Sequence, residues 1–118
     1  MSQAISIPVF DGHNDFLLRL YYAPDRREKI WLKGEGRGHL DLPRMRAGGF
    51  AGGFFAIYVP SPRVAESVDF EQLMDSPPYH LPLPAPVPAA QAQAVALTMA
   101  GHLFWMERAS GGRFRVVR

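Results

Sequence analysis

The chain has 118 residues, 47% of them hydrophobic, and a net charge of +2. That length points to one domain able to bury about two thirds of its unfolded surface. The apolar share argues against disorder, and a small charge without a dense basic block argues against a nucleic-acid-binding role. No cysteine is present, which excludes disulfides, thiolate metal sites and a cysteine nucleophile and makes a reducing, cytoplasmic location the expectation.

The first eight residues lack a basic start and a 7–15-residue apolar run, so no secretory signal is expected. No apolar run approaches 18 residues, so no membrane span is expected either. Residues 5–10 read as a short buried strand, with Pro8 tolerated only near its beginning. That strand runs into Asp11-Gly12-His13-Asn14-Asp15. On an extended strand, side chains two apart share a face, roughly 6.5–7 Å from each other along the chain. His13 and Asp15 then project together and offer an imidazole nitrogen and a carboxylate oxygen, ligand types that zinc accepts. On spacing alone the pair reads first as strand-end residues bonded to local backbone, and as metal ligands only second. Asp11 shares their face by parity, either orienting His13 from behind or bonding to backbone near the turn.

Residues 16–22 are dense in large apolar groups and predict a short helix stopped by Pro24. Residues 25–32 are a second helical candidate, with Arg26, Arg27 and Lys29 on a solvated face among Asp25 and Glu28. Gly34, Gly36 and Gly38 predict an irregular loop, with His39 in it. A helix-to-strand segment follows over residues 41–59. Asp41 is a good N-cap, Pro43 falls in the first turn, and Gly48 ends the helix. Gly48-Gly49-Phe50-Ala51-Gly52-Gly53 reads as a tight turn, since it lacks the Lys-Ser/Thr of a phosphate loop. Residues 53–59 are nearly all apolar and predict a strand covered on both faces, as in a parallel sheet.

Residues 60–88 form a long proline-rich connection, carrying Tyr79 and His80 in a solvated stretch. Residues 89–109 predict the longest helix, with Ala94, Leu97, Met99, Leu103, Phe104 and Met106 as its apolar content and His102 packed among them. Gly111-Gly112 ends it, and residues 114–117 begin another extended piece. Trp31, Trp105, Phe54 and Phe55 are expected in the core. Strands alternating with helices make the fold class α/β, with a parallel sheet.

The Asp11-Gly12-His13-Asn14-Asp15 motif is followed by Gly38-His39-Leu40-Asp41-Leu42-Pro43-Arg44-Met45-Arg46-Ala47-Gly48-Gly49 and by Gly52-Gly53-Phe54-Phe55-Ala56-Ile57-Tyr58-Val59-Pro60. In that order these segments resemble the membrane (renal-type) dipeptidase family, peptidase family M19, over residues 8–60 and more weakly through the last helix. The resemblance implies a (β/α)8 TIM barrel that hydrolyses dipeptides with a pair of zinc ions, His13 and Asp15 being ligands of the more buried one. The family's bridging glutamate and further histidine ligands come from later strands, and Glu107, in the long helix, does not match that glutamate.

Such a barrel needs on the order of 200–250 residues. The chain is therefore expected to be the N-terminal portion of a soluble metallohydrolase, its first βα units only, and inactive by itself. The expected partner is a dipeptide substrate, with no nucleic acid and no membrane, and a homodimer of the full-length protein is compatible with the resemblance. Two alternatives stay open: a non-catalytic interaction module that docks its proline-rich loop in a partner's groove, and another barrel metal-dependent amidohydrolase.

Overall fold

Strand β1, Val9–Asn14, pairs in parallel with β2, Phe50–Phe55, in a two-stranded sheet. The computed structural model describes residues 7–63 and 69–118, so positions 5 and 6 of the expected first strand lie outside the described residues. Pro8 has no N–H to give a ladder, and pairing begins one residue later, where Val9 N–H donates to Gly49 O at 2.9 Å. The register runs Val9↔Phe50, Phe10↔Gly52, Asp11↔Gly53 and Asn14↔Phe55. β2 thus has one extra residue near Ala51, and β1 has one extra between Asp11 and Asn14. Gly53 is needed for the close approach of the strands, because a Cβ there would lie 3.1 Å from both Asp11 Cβ and Asp11 O.

β2 begins and ends earlier than the apolar pattern of residues 53–59 suggests. The cause is its partner: β1 stops at Asn14, whose carbonyl accepts the Ala56 N–H at 2.9 Å, and the following residues have no neighbouring strand to bond. β2 is also not covered on both faces, since Phe54 is 67% exposed and meets Phe10 edge to face at 5.2 Å.

By internal contacts the chain forms two units, residues 1–58 with 96–118, and residues 59–95. In the first, β1 leads into helix α1, Phe16–Tyr22, whose Phe16, Leu17 and Leu20 are buried. The second helical candidate is broken into a 3₁₀ turn, Pro24–Arg26, and a wide π turn, Lys29–Lys33, which buries Ile30 and Trp31. Helix α2, Leu42–Ala47, buries Leu42 and Met45, and the Asp41 carboxylate caps it by accepting the Arg44 N–H at 2.8 Å. The centre of this core is Trp31, with no exposed surface. Phe16 and Phe114 stand 5.4 and 5.2 Å from its ring, and its indole N–H donates to Ser110 Oγ at 2.8 Å.

The long helix α4 spans Ala89–Ala109. Met99, His102 and Met106 are buried at three- and four-residue spacing, one stripe of a helix. Leu97 and Phe104, expected to pack, are off that stripe and exposed. Trp105 is half-buried beneath the Arg27 guanidinium, 4.5 Å from the ring centroid, so Arg27 is not simply solvated. Residues 114–117 form no strand. In the second unit the proline-rich connection contains a short helix α3, Phe70–Met74, capped by Asp69 accepting the Gln72 N–H at 3.1 Å. Tyr79 and His80 are exposed. Among the described residues no helix is long and apolar enough to cross a membrane.

Candidate metal centre

His13 and Asp15 come together where β1 gives way to α1. His13 occupies the stretch of β1 that has the extra residue, and Asp15 has already left the strand, with φ −103° and ψ 31° at the head of α1. On a regular strand both side chains would share one face. Here a bulge and a change of backbone direction produce the meeting instead, a common use of bulges beside functional sites. His13 Nε2 and Asp15 Oδ1 are 3.3 Å apart, on side chains 67% and 57% exposed.

Asp11 and Asn14 hold this turn. Asp11 Oδ1 accepts the His13 backbone N–H at 3.2 Å, and Asp11 Oδ2 accepts from Asn14 Nδ2 at 3.0 Å. Asp11 therefore binds the backbone of His13 rather than its ring. The Asn14 amide also donates to Phe54 O at 3.4 Å across the sheet, and its Oδ1 accepts the Phe16 N–H at 3.2 Å. Asn14, not expected as a site residue from the motif, is the link between the turn, the sheet and α1. Its signal was there: an Asn just ahead of a helical run is a natural acceptor for an orphan N–H of the first turn.

The donor set suits zinc. His13 Nε2 and Asp15 Oδ1 hydrogen-bond to each other at 3.3 Å, and two ligand atoms on a tetrahedral zinc about 2.0–2.2 Å away would stand about 3.3–3.6 Å apart, so a cation would replace that bond with little movement. Among the described residues no group of three or more histidine, aspartate or glutamate side chains surrounds this pair. His39 and His80 are exposed elsewhere, and His102 is buried in α4.

Behind Asp15, on the side of α1, lies an ionic cluster. Glu35, its side chain 6% exposed, accepts from Arg26 Nε at 3.1 Å and from Arg19 Nη2 at 3.4 Å. The hydrogen bond from Arg26 is the chief reason that the Glu35 carboxyl sits below its ordinary pKa; burial opposes it, and the charges of Arg26, Lys29 and Arg19 add to it. The loop holding Glu35 is fixed further on by Arg44, which donates to Gly38 O at 2.9 Å and Arg37 O at 3.2 Å while bound to Asp41.

Comparison with known proteins gives these positions a context. The family model for membrane dipeptidase (peptidase family M19) matches residues 3–117. The fold is similar to that of a metallo peptidase from Rhodobacter sphaeroides, solved with a phosphinate mimic of the dipeptide L-Ala-D-Ala, at 69% identity and a TM-score of 0.83 over 96% of this chain and 32% of that one. It is similar too to the dipeptidase AC, a metallo peptidase of family M19, at 69% identity and a TM-score of 0.82 over 96% of this chain and 31% of that one. A protein from Acinetobacter calcoaceticus known as the uncharacterized protein in the PQQ-III 3′ region is 50% identical over 56 residues, 46% of this chain and 18% of that protein. The chain thus spans about a third of the length of the solved structures and under a fifth of the Acinetobacter protein.

Proposed function

The chain belongs to the membrane dipeptidase family, peptidase family M19, and from that membership we propose that it forms the amino-terminal third of a barrel enzyme that hydrolyses dipeptides with a pair of zinc ions. His13 and Asp15 are two of the metal ligands in this reading. The observation that carries it is the 3.3 Å approach of His13 Nε2 and Asp15 Oδ1 at the carboxyl end of a parallel strand, the end at which barrels and open α/β sheets gather their sites.

When bound, zinc lowers the pKa of coordinated water and polarises the scissile carbonyl. This chain's part is to hold the ligands. Asp11 fixes the backbone at His13, and Asn14 ties that turn both to β2 and to the first turn of α1, so the imidazole and carboxylate are aimed before a cation arrives. The substrate class, a dipeptide, is carried over from the ligand of the Rhodobacter sphaeroides relative. The remaining ligands would come from barrel strands beyond these residues.

The test is metal content in the protein that carries those remaining ligands. His13→Ala and Asp15→Ala should each lose at least one equivalent of zinc after dialysis, read by plasma mass spectrometry. Dipeptide hydrolysis should fall by about 100-fold or more. Unchanged zinc stoichiometry in both variants would overturn the assignment.

A further inference from the structure

A groove of about 800 Å³ runs along β2, lined by Phe50, Phe54 and Phe55 of the strand, Leu103 of α4, and Phe114 and Val117 beyond it. All of these residues belong to the first unit. β1 occupies one edge of β2, and among the described residues no strand pairs with the other. The segment after α4 is fixed in place: Phe114 packs edge to face on Trp31 and on Phe55, and the Val116 N–H donates to Glu107 Oε1 at 3.0 Å. Even so, Val117 is left 95% exposed and Phe54 67%. A formed apolar surface of this kind marks a contact.

Unpaired N–H and C=O groups on a strand edge are satisfied best by another strand. Arg46, Arg113 and Arg115 also line the groove, and among the described residues none of them forms an ion pair. The occupant that fits is therefore an extended apolar run with carboxylates beside it. Two further observations say where it comes from. His13 and Asp15 have no third ligand among the described residues, whereas a catalytic zinc takes three protein ligands. The solved relatives, 69% identical over 96% of this chain, have about two thirds of their own length outside the match.

We propose that the groove and the free edge of β2 dock the remaining two thirds of a membrane dipeptidase barrel as a separate chain, a strand of that chain adding to β2 and its side chains completing the metal centre begun by His13 and Asp15. No peptide bond between the two parts is required, because the surface that holds them together is already formed in this chain. The proposal rests on the dipeptidase reading for the identity of the partner and for the metal.

The test refolds the 118-residue chain together with the Rhodobacter sphaeroides relative lacking the third that this chain covers. The mixture is compared with a chimera in which the same two parts form one chain. Light scattering after gel filtration should show a one-to-one complex that keeps zinc through dialysis and hydrolyses L-Ala-D-Ala, which neither part does alone. A charge set in the groove, as Val117→Asp or Phe54→Lys, should weaken association about 10–100-fold. Val117 is too exposed for its variant to unfold the chain. In the chimera the parts meet at an effective concentration of roughly millimolar, so Val117→Asp should leave hydrolysis there near that of the unsubstituted chimera. Raising the salt about tenfold should weaken the complex of separate parts. Parts that stay apart, or that bind only copies of themselves, beside an active chimera overturn the docking proposal, as does a complex indifferent to both variants and to salt. A chimera without zinc or hydrolysis overturns the dipeptidase reading instead.

Discussion

His102 is the residue whose surroundings suit it least. It is 5% exposed on the buried stripe of α4, and neither ring nitrogen has a hydrogen-bond partner among the described residues. Burial, reinforced by the charge of Arg27, lowers its pKa from the ordinary 6.5. A lowered pKa in the folded state means that, between that value and 6.5, the unfolded chain binds the extra proton. Stability is therefore full above pH 6.5 and falls as the pH drops through the lowered value. Glu35 adds a second loss at more acid pH, because the stability from its lowered pKa is present above 4.5 and disappears below. Chemical denaturation across pH 2–7 should resolve the two in His102→Leu, which should keep the acid step of Glu35 and lose the one below 6.5. The same variant should be more stable than wild type at neutral pH by about 1–2 kcal/mol, since it removes unpaired buried nitrogens; a less stable variant would contradict this. At this scale the sequence showed which residues could bind metal, but not how they meet. Parity along a strand was the wrong reason for bringing His13 and Asp15 together, because a register slip is not visible in residue types.

At the scale of elements, caps were the most legible signal. Asp41 heads α2 as its position before Leu42-Pro43 requires, and its carboxylate serves two donors of Arg44, the backbone N–H and the side-chain Nε. Asp41→Ala should cost about 1–2 kcal/mol, seen as a lower denaturation midpoint. It should also loosen the loop of residues 34–38, which Arg44 pins, and amide exchange there should speed up. An unchanged midpoint would show that Pro43 and packing suffice without the cap. Helix α1 was equally clear, bounded by the motif and Pro24. Strand β2 was less so, because the run of apolar residues extends beyond the partner strand that would pair with it. On α4 the composition was right and the face was wrong. Counting apolar residues favoured Leu97 and Phe104, while the chain buries the stripe containing His102.

At the scale of the whole molecule, the two-stranded sheet leaves apolar groups uncovered. Val9, Phe10, Phe54, Ile57 and Tyr58 are all exposed, and a two-stranded sheet has an open edge on each strand. The 118-residue chain should therefore self-associate as its concentration rises, measured by light scattering. Phe54→Lys should delay this by placing a charge on the exposed face; equal scattering by both would locate the association elsewhere. The parallel α/β character was readable because strands and helices alternate along the chain, whereas the cover of the sheet depends on contacts that no local pattern encodes. Trp31 gives these ideas an optical handle. Its ring is sealed between Phe16 and Phe114, and its N–H is bound to Ser110, 79 positions away. A dry indole emits at shorter wavelength than a wet one, so undocking of the C-terminal residues from the first half of the chain would redden its emission. With Trp105 replaced by Phe, one native chromophore would report whether the two ends remain joined, with no label attached.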